Sequence, residues 1–111
     1  MNTNDQEPAD SCGVADADPP PGALVRTLEI INRKGLHARA TAKLVQCIDS
    51  FDVEVTVGRC GETVGGTSIM GILTLGAGPG MTITVTAAGP QAFEAMQAIA
   101  ALVADRFGED E

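Results

Sequence analysis

Tryptophan and tyrosine are missing from this 111-residue chain, and phenylalanine occurs three times. A core must therefore be aliphatic, built from Val, Ile, Leu, Met and Ala. No apolar run approaches the length of a membrane span, and the acidic N-terminus lacks the apolar stretch of a secretory signal. The expectation is a cytoplasmic protein with no membrane insertion. Cys12, Cys47 and Cys60 form no CxxC or Cys/His spacing. That points away from a metal site and from a disulfide framework, and leaves reduced thiols as the expectation. Basic residues are few, seven against fifteen acidic, for a net charge of -8. With no basic stripe and no stacking aromatics, nucleic-acid binding is not expected.

The charge is uneven. Residues 1–22 carry five acidic residues and no Lys or Arg. This stretch, rich in Asp, Ala and Pro and ending in Pro19-Pro20-Pro21, reads as a disordered acidic tail. It is read either as a working acidic arm or as a misassigned start. Residues 23–111 read as one domain, with ten acidic and seven basic residues. Four of those seven, Arg33, Lys34, Arg39 and Lys43, surround the single histidine, His37. Such a cluster suits a small anion, although an ordinary solvated face is an even alternative.

Leu24–Ile31 is β-branched and predicts a strand with Leu24, Leu28 and Ile30 on one face. Ala38–Asp49 predicts a helix, with Thr41, Leu44, Val45 and Ile48 at helical spacing. Val53–Val57 alternates as a strand. Gly58–Gly61 turns, and Glu62–Gly66 returns as a weak edge strand. Thr67-Ser68 caps a short helix, Ile69–Leu75. Met81–Thr86 alternates again. Gly89-Pro90 opens a last helix whose Phe93, Met96, Ala100, Val103 and Phe107 form a core stripe. Gly108 ends it, leaving Glu109-Asp110-Glu111 solvated. The order β-α-β-β-α-β-α, with strands patterned on one face, implies a two-layer α+β sandwich.

The motif Gly35-Leu36-His37-Ala38-Arg39 places the imidazole at the N-cap of the first helix. Unpaired N–H groups, among them those of Ala38 and Arg39, face outward there, and the helix end is positive. A neutral imidazole nitrogen is nucleophilic, and a P–N bond keeps a phosphoryl group transferable. Arg39 can add charge-assisted hydrogen bonds. The bland alternative is an exposed N-cap histidine without a role. For Ser68 it is a plain helix cap, and for Ile69, Met70 and Leu73 it is core.

Two blocks carry a resemblance. Gly35–Arg39 resembles the active-site motif of HPr, the histidine phosphocarrier of the bacterial phosphoenolpyruvate-dependent phosphotransferase system. Ser68-Ile69-Met70-Gly71-Ile72-Leu73-Thr74-Leu75-Gly76 resembles the regulatory-serine segment of that family, and its wording is closer to the nitrogen-related branch, NPr. The resemblance covers about residues 24–107. It implies a four-stranded antiparallel sheet in the order 1-4-2-3 under three helices. It implies a co-substrate of phosphotransferase-system enzymes and not an enzyme, a monomer needing no cofactor or metal of its own. Enzyme I, which needs magnesium by family analogy, would phosphorylate Nδ1 of His37, and an EIIA-type domain would receive the group. Arg39 would hold the phosphate, and HPr kinase/phosphorylase would modify Ser68. Ala38, Ala42, Ile69, Met70 and Leu73 would dock partners. Ala40 stands where the family usually has proline, which leaves the first helical turn freer. The competing readings are a regulatory interaction module that relays no phosphate, and a small hydrolase using His37 as a base. The second lacks a companion nucleophile.

Overall fold

The computed structural model describes residues 21–111. The tail expected at 1–22 falls almost wholly outside the described residues, as does Cys12. Seven elements follow in order: β1 (Leu24–Glu29), α1 (Ala38–Asp49), β2 (Glu54–Arg59), β3 (Glu62–Gly65), α2 (Ile69–Thr74), β4 (Thr82–Ala88) and α3 (Ala92–Ala104). The sheet is antiparallel with the order β1-β4-β2-β3, an open-faced sandwich as expected. Alternation explains its two faces. Ile83, Val85 and Ala87 of β4 point into the core beside Leu28 of β1 and Val55 and Val57 of β2, while Thr82, Thr84 and Thr86 point the other way. In register, Ile83 faces Leu28 and Val85 faces Val57. Leu44 and Ile48 of α1, Ile72 of α2, and Met96, Ile99 and Val103 of α3 close the core.

Three details depart from the sequence patterns. Leu24 lies opposite the buried Ala87, on the same face as Leu28, but is exposed at the start of β1. The buried stripe of α3 is Ala92, Ala95, Met96, Ile99 and Val103. That places Phe93 to one side of the stripe, where it is 63% exposed and not in the core. The helix also stops at Ala104. A 3₁₀ turn, Arg106–Gly108, follows with left-handed φ at Arg106 (58°), Phe107 (55°) and Gly108 (78°). Phe107 is fully buried by that hook and not by helical spacing. The hook swings the segment after it across the start of α1.

Candidate functional site

Beyond β1 the chain is clamped to the loop before β4, through Ile30 N–H to the Met81 carbonyl (2.8 Å) and Gly80 N–H to the Ile30 carbonyl (2.8 Å). A turn then brings Gly35 N–H onto the Asn32 carbonyl (3.1 Å). Gly35 has φ of +68°, and a Cβ there would stand 2.7 Å from the Ala77 carbonyl oxygen. Only glycine suits both the conformation and the approach. Leu36 donates its N–H to that same oxygen (2.9 Å) and buries its side chain. His37 follows in extended conformation as the N-cap of α1, and its carbonyl accepts Thr41 N–H at 2.9 Å.

The ring is bound on both nitrogens. Nδ1 accepts the backbone N–H of Arg39 at 3.3 Å, a long N-cap bond. Nε2 contacts a carboxylate oxygen of Glu109. The other oxygen of Glu109 accepts Nδ2 of Asn32 at 3.0 Å, and the same amide nitrogen donates to the Gly35 carbonyl at 2.8 Å. Asn32 is fully buried. The Asn32 amide, and then the His37 ring, hold the Glu109 carboxyl below the usual glutamate range. The expectation of a solvated Glu109-Asp110-Glu111 therefore fails at Glu109, whose side chain is 17% exposed against 28% for His37. Neither Asn32 nor Glu109 stands out in sequence: Glu109 meets residues 72 and 77 positions earlier, His37 and Asn32, and no local pattern encodes the hook that makes these contacts.

An open cavity of about 270 Å³ lies over the ring, lined by Arg33, Lys34, His37, Arg39 and the segment Glu109–Glu111. Arg39 is exposed and lines the cavity together with Arg33 and Lys34. The basic cluster is divided in its duties. Lys43 donates to the Phe107 carbonyl (2.7 Å) and Arg33 pairs with Glu111 (2.7 Å), so these two anchor the C-terminal segment. Ser68 caps α2, its Oγ accepting Gly71 N–H at 3.1 Å. α1 and α2 pack on each other. Ala38 is exposed and Ala42 half-buried on the first; Met70 (71% exposed) and Ile69 are open on the second, with Leu73 half-buried. Among the described residues no cluster of His, Cys, Asp and Glu has the makings of a metal site. Cys47 is free, with its thiol pKa raised by burial. Cys60 is disulfide-bonded, which corrects the expectation of reduced thiols throughout.

The chain is thus a four-stranded open-faced sandwich that presents one histidine at a helix N-terminus, with an arginine lining the same cavity. Residues 24–105 match the family PTS-HPr, described as the "PTS HPr component phosphorylation site". The phosphocarrier protein HPr of Cupriavidus necator is 50% identical over 88 residues, which cover 79% of this chain and 99% of that one. The phosphocarrier protein NPr of Shewanella violacea is 41% identical over 86 residues, covering 78% and 94%. A crystal structure of HPr-C-His from Thermoanaerobacter tengcongensis superposes with a TM-score of 0.76 at 36% identity, covering 79% of this chain and 99% of that one. The chain belongs to the HPr family: it is a phosphocarrier of the phosphotransferase system and not an enzyme. Relatives of both the HPr and the NPr kind are similar to it, the HPr of C. necator more so than the NPr of S. violacea. No helix among the described residues is long and apolar enough to cross a membrane.

Proposed function

We propose that residues 23–111 form a monomeric cytoplasmic carrier domain that takes a phosphoryl group from Enzyme I on Nδ1 of His37 and delivers it to an EIIA-type domain. The observation that carries this reading is the engagement of Nδ1 with the Arg39 amide at an open cavity that Arg39 also lines. That bond requires the lone pair to sit on Nδ1, directed at the Arg39 amide, which gives it up to an incoming phosphorus. The lone pair attacks phosphorus as the bond to the donor breaks, and the donor keeps that electron pair. The Arg39 amide is then freed for a phosphoryl oxygen, joined by the first-turn N–H groups and the Arg39 guanidinium. Transfer onward reverses these events. Alanine at position 40 leaves the carrier chemistry intact and the first turn less rigid.

Ala38, Ala42, Ile69, Met70 and Leu73 supply the docking surface, where Met70 offers an adaptable apolar contact. Ser68 stands at its margin, and modification by HPr kinase/phosphorylase would add a dianion beside Ile69 and Met70, weakening docking by charge and desolvation. The domain needs no metal or organic cofactor for this role. Incubation with Enzyme I and phosphoenolpyruvate, followed by mass measurement, tests the reading. One acid-labile phosphoryl group is expected on the wild type and none on His37→Ala. A wild type that stays at its original mass overturns it.

A further inference from the structure

We propose that Glu109, held in place by the buried Asn32, is a positioning residue that fixes His37 in the tautomer whose Nδ1 carries the lone pair. This deepens the carrier reading and rests on it for its consequence. A neutral imidazole has one N–H, and an ionised carboxylate only accepts. Glu109 at Nε2 therefore puts the proton on Nε2. The Arg39 N–H, which can only donate, favours a lone pair on Nδ1 through a long 3.3 Å bond, too weakly to fix the tautomer alone. The two contacts select the same tautomer from opposite sides of the ring.

The carboxylate is itself oriented. Nδ2 of Asn32 reaches two acceptors, the Gly35 carbonyl and one oxygen of Glu109. Oδ1 of Asn32 is buried with no hydrogen-bond partner, an unsatisfied group accepted where the amide must face donor-first toward the site. From the other side, Lys43 pins the Phe107 carbonyl and the left-handed turn at Arg106–Gly108 aims Glu109 back at α1. When the Nδ1–P bond forms, the ring with Nε2–H retained gains a positive charge. The Glu109 carboxylate faces that charge without any proton leaving. When the group departs, the bonding electrons return to Nδ1 and the starting tautomer is restored.

Glu109→Gln gives a distinctive test. Glutamine has one acceptor oxygen, and Asn32 claims it, so the NH₂ group turns to Nε2 and favours the Nδ1–H tautomer. Nitrogen-15 NMR of the full chain, at a pH where the imidazole is neutral, reads the tautomer without any donor protein. The wild type should show Nε2–H; Glu109→Ala should show a mixture, and Glu109→Gln a swing toward Nδ1–H. Initial phosphorylation by Enzyme I should fall in the order wild type, Ala, Gln, with Gln slower than wild type by about tenfold or more, the direction seen when an amide replaces the carboxylate behind a catalytic imidazole. A merely structural role predicts no tautomer change. Unchanged nitrogen signals in both variants overturn the proposal, as does a swapped tautomer with an unchanged rate. A wild type that takes no phosphate overturns the carrier reading instead, while the tautomer arm still stands or falls by itself.

Discussion

Gly35 shows how one backbone position sets the place of the His37 ring. Its left-handed φ, and the 2.7 Å at which an added Cβ would meet the Ala77 carbonyl oxygen, allow no side chain. Gly35→Ala is expected to cost about 2 kcal/mol from conformational strain and the clash; urea unfolding measures it. The same change should slow phosphorylation, because Leu36 and His37 would have to move. Glu109 makes a second residue-scale prediction. The bond from Asn32 and then that from His37 depress its carboxyl in the folded state. Its stabilising contribution is therefore complete above the ordinary glutamate pKa and is lost as pH falls through the lower folded value. Urea unfolding at a series of pH values should find wild type more stable than Glu109→Gln near neutrality, with the gap closing in acid. A gap that widens in acid contradicts the assignment. His37 and Arg39 were legible because a Gly-Leu-His-Ala-Arg string carries its own local geometry. Asn32 and Glu109 were not, because their roles exist only once the two ends of the domain meet.

At the scale of elements, the strands of the sheet were readable from alternation, and α1 from capping and spacing. β4 is the clearest case: a strict two-residue period left no choice of face. α3 was read a fraction of a turn off, because alanines at 92 and 95 carry the buried stripe and a large Phe93 at its flank dominates the pattern. Small residues signal a core face weakly, yet they are what lets a helix approach a sheet closely. Phe93→Ala should accordingly change stability by no more than about 0.5 kcal/mol, as exposed substitutions do. Met96→Ala should cost about 2–4 kcal/mol through the cavity it leaves. Thermal or urea unfolding of the pair separates the two assignments; equal losses would restore Phe93 to the core. The end of α3 was overrun for another reason. Arg106 and Phe107 adopt left-handed φ without being glycine, a conformation held by burial of Phe107 and by the Lys43 bond, which local sequence does not announce.

Across the whole molecule, the sheet order β1-β4-β2-β3 brings the turn after β1 beside the loop before β4. The closing segment after α3 then meets the turn after β1 and reaches the ring of His37. The candidate site thus depends on three distant parts of the chain. Fold class, helix count and sheet order followed from patterning and family resemblance, but the third wall of the site followed from neither. The most direct measurement of the central claim is nitrogen-15 and phosphorus-31 NMR of the chain after phosphorylation by Enzyme I and phosphoenolpyruvate. The account predicts a single phosphoryl group coupled to Nδ1 of His37, with the proton kept on Nε2. A group attached at Nε2, or on any other residue, would contradict it.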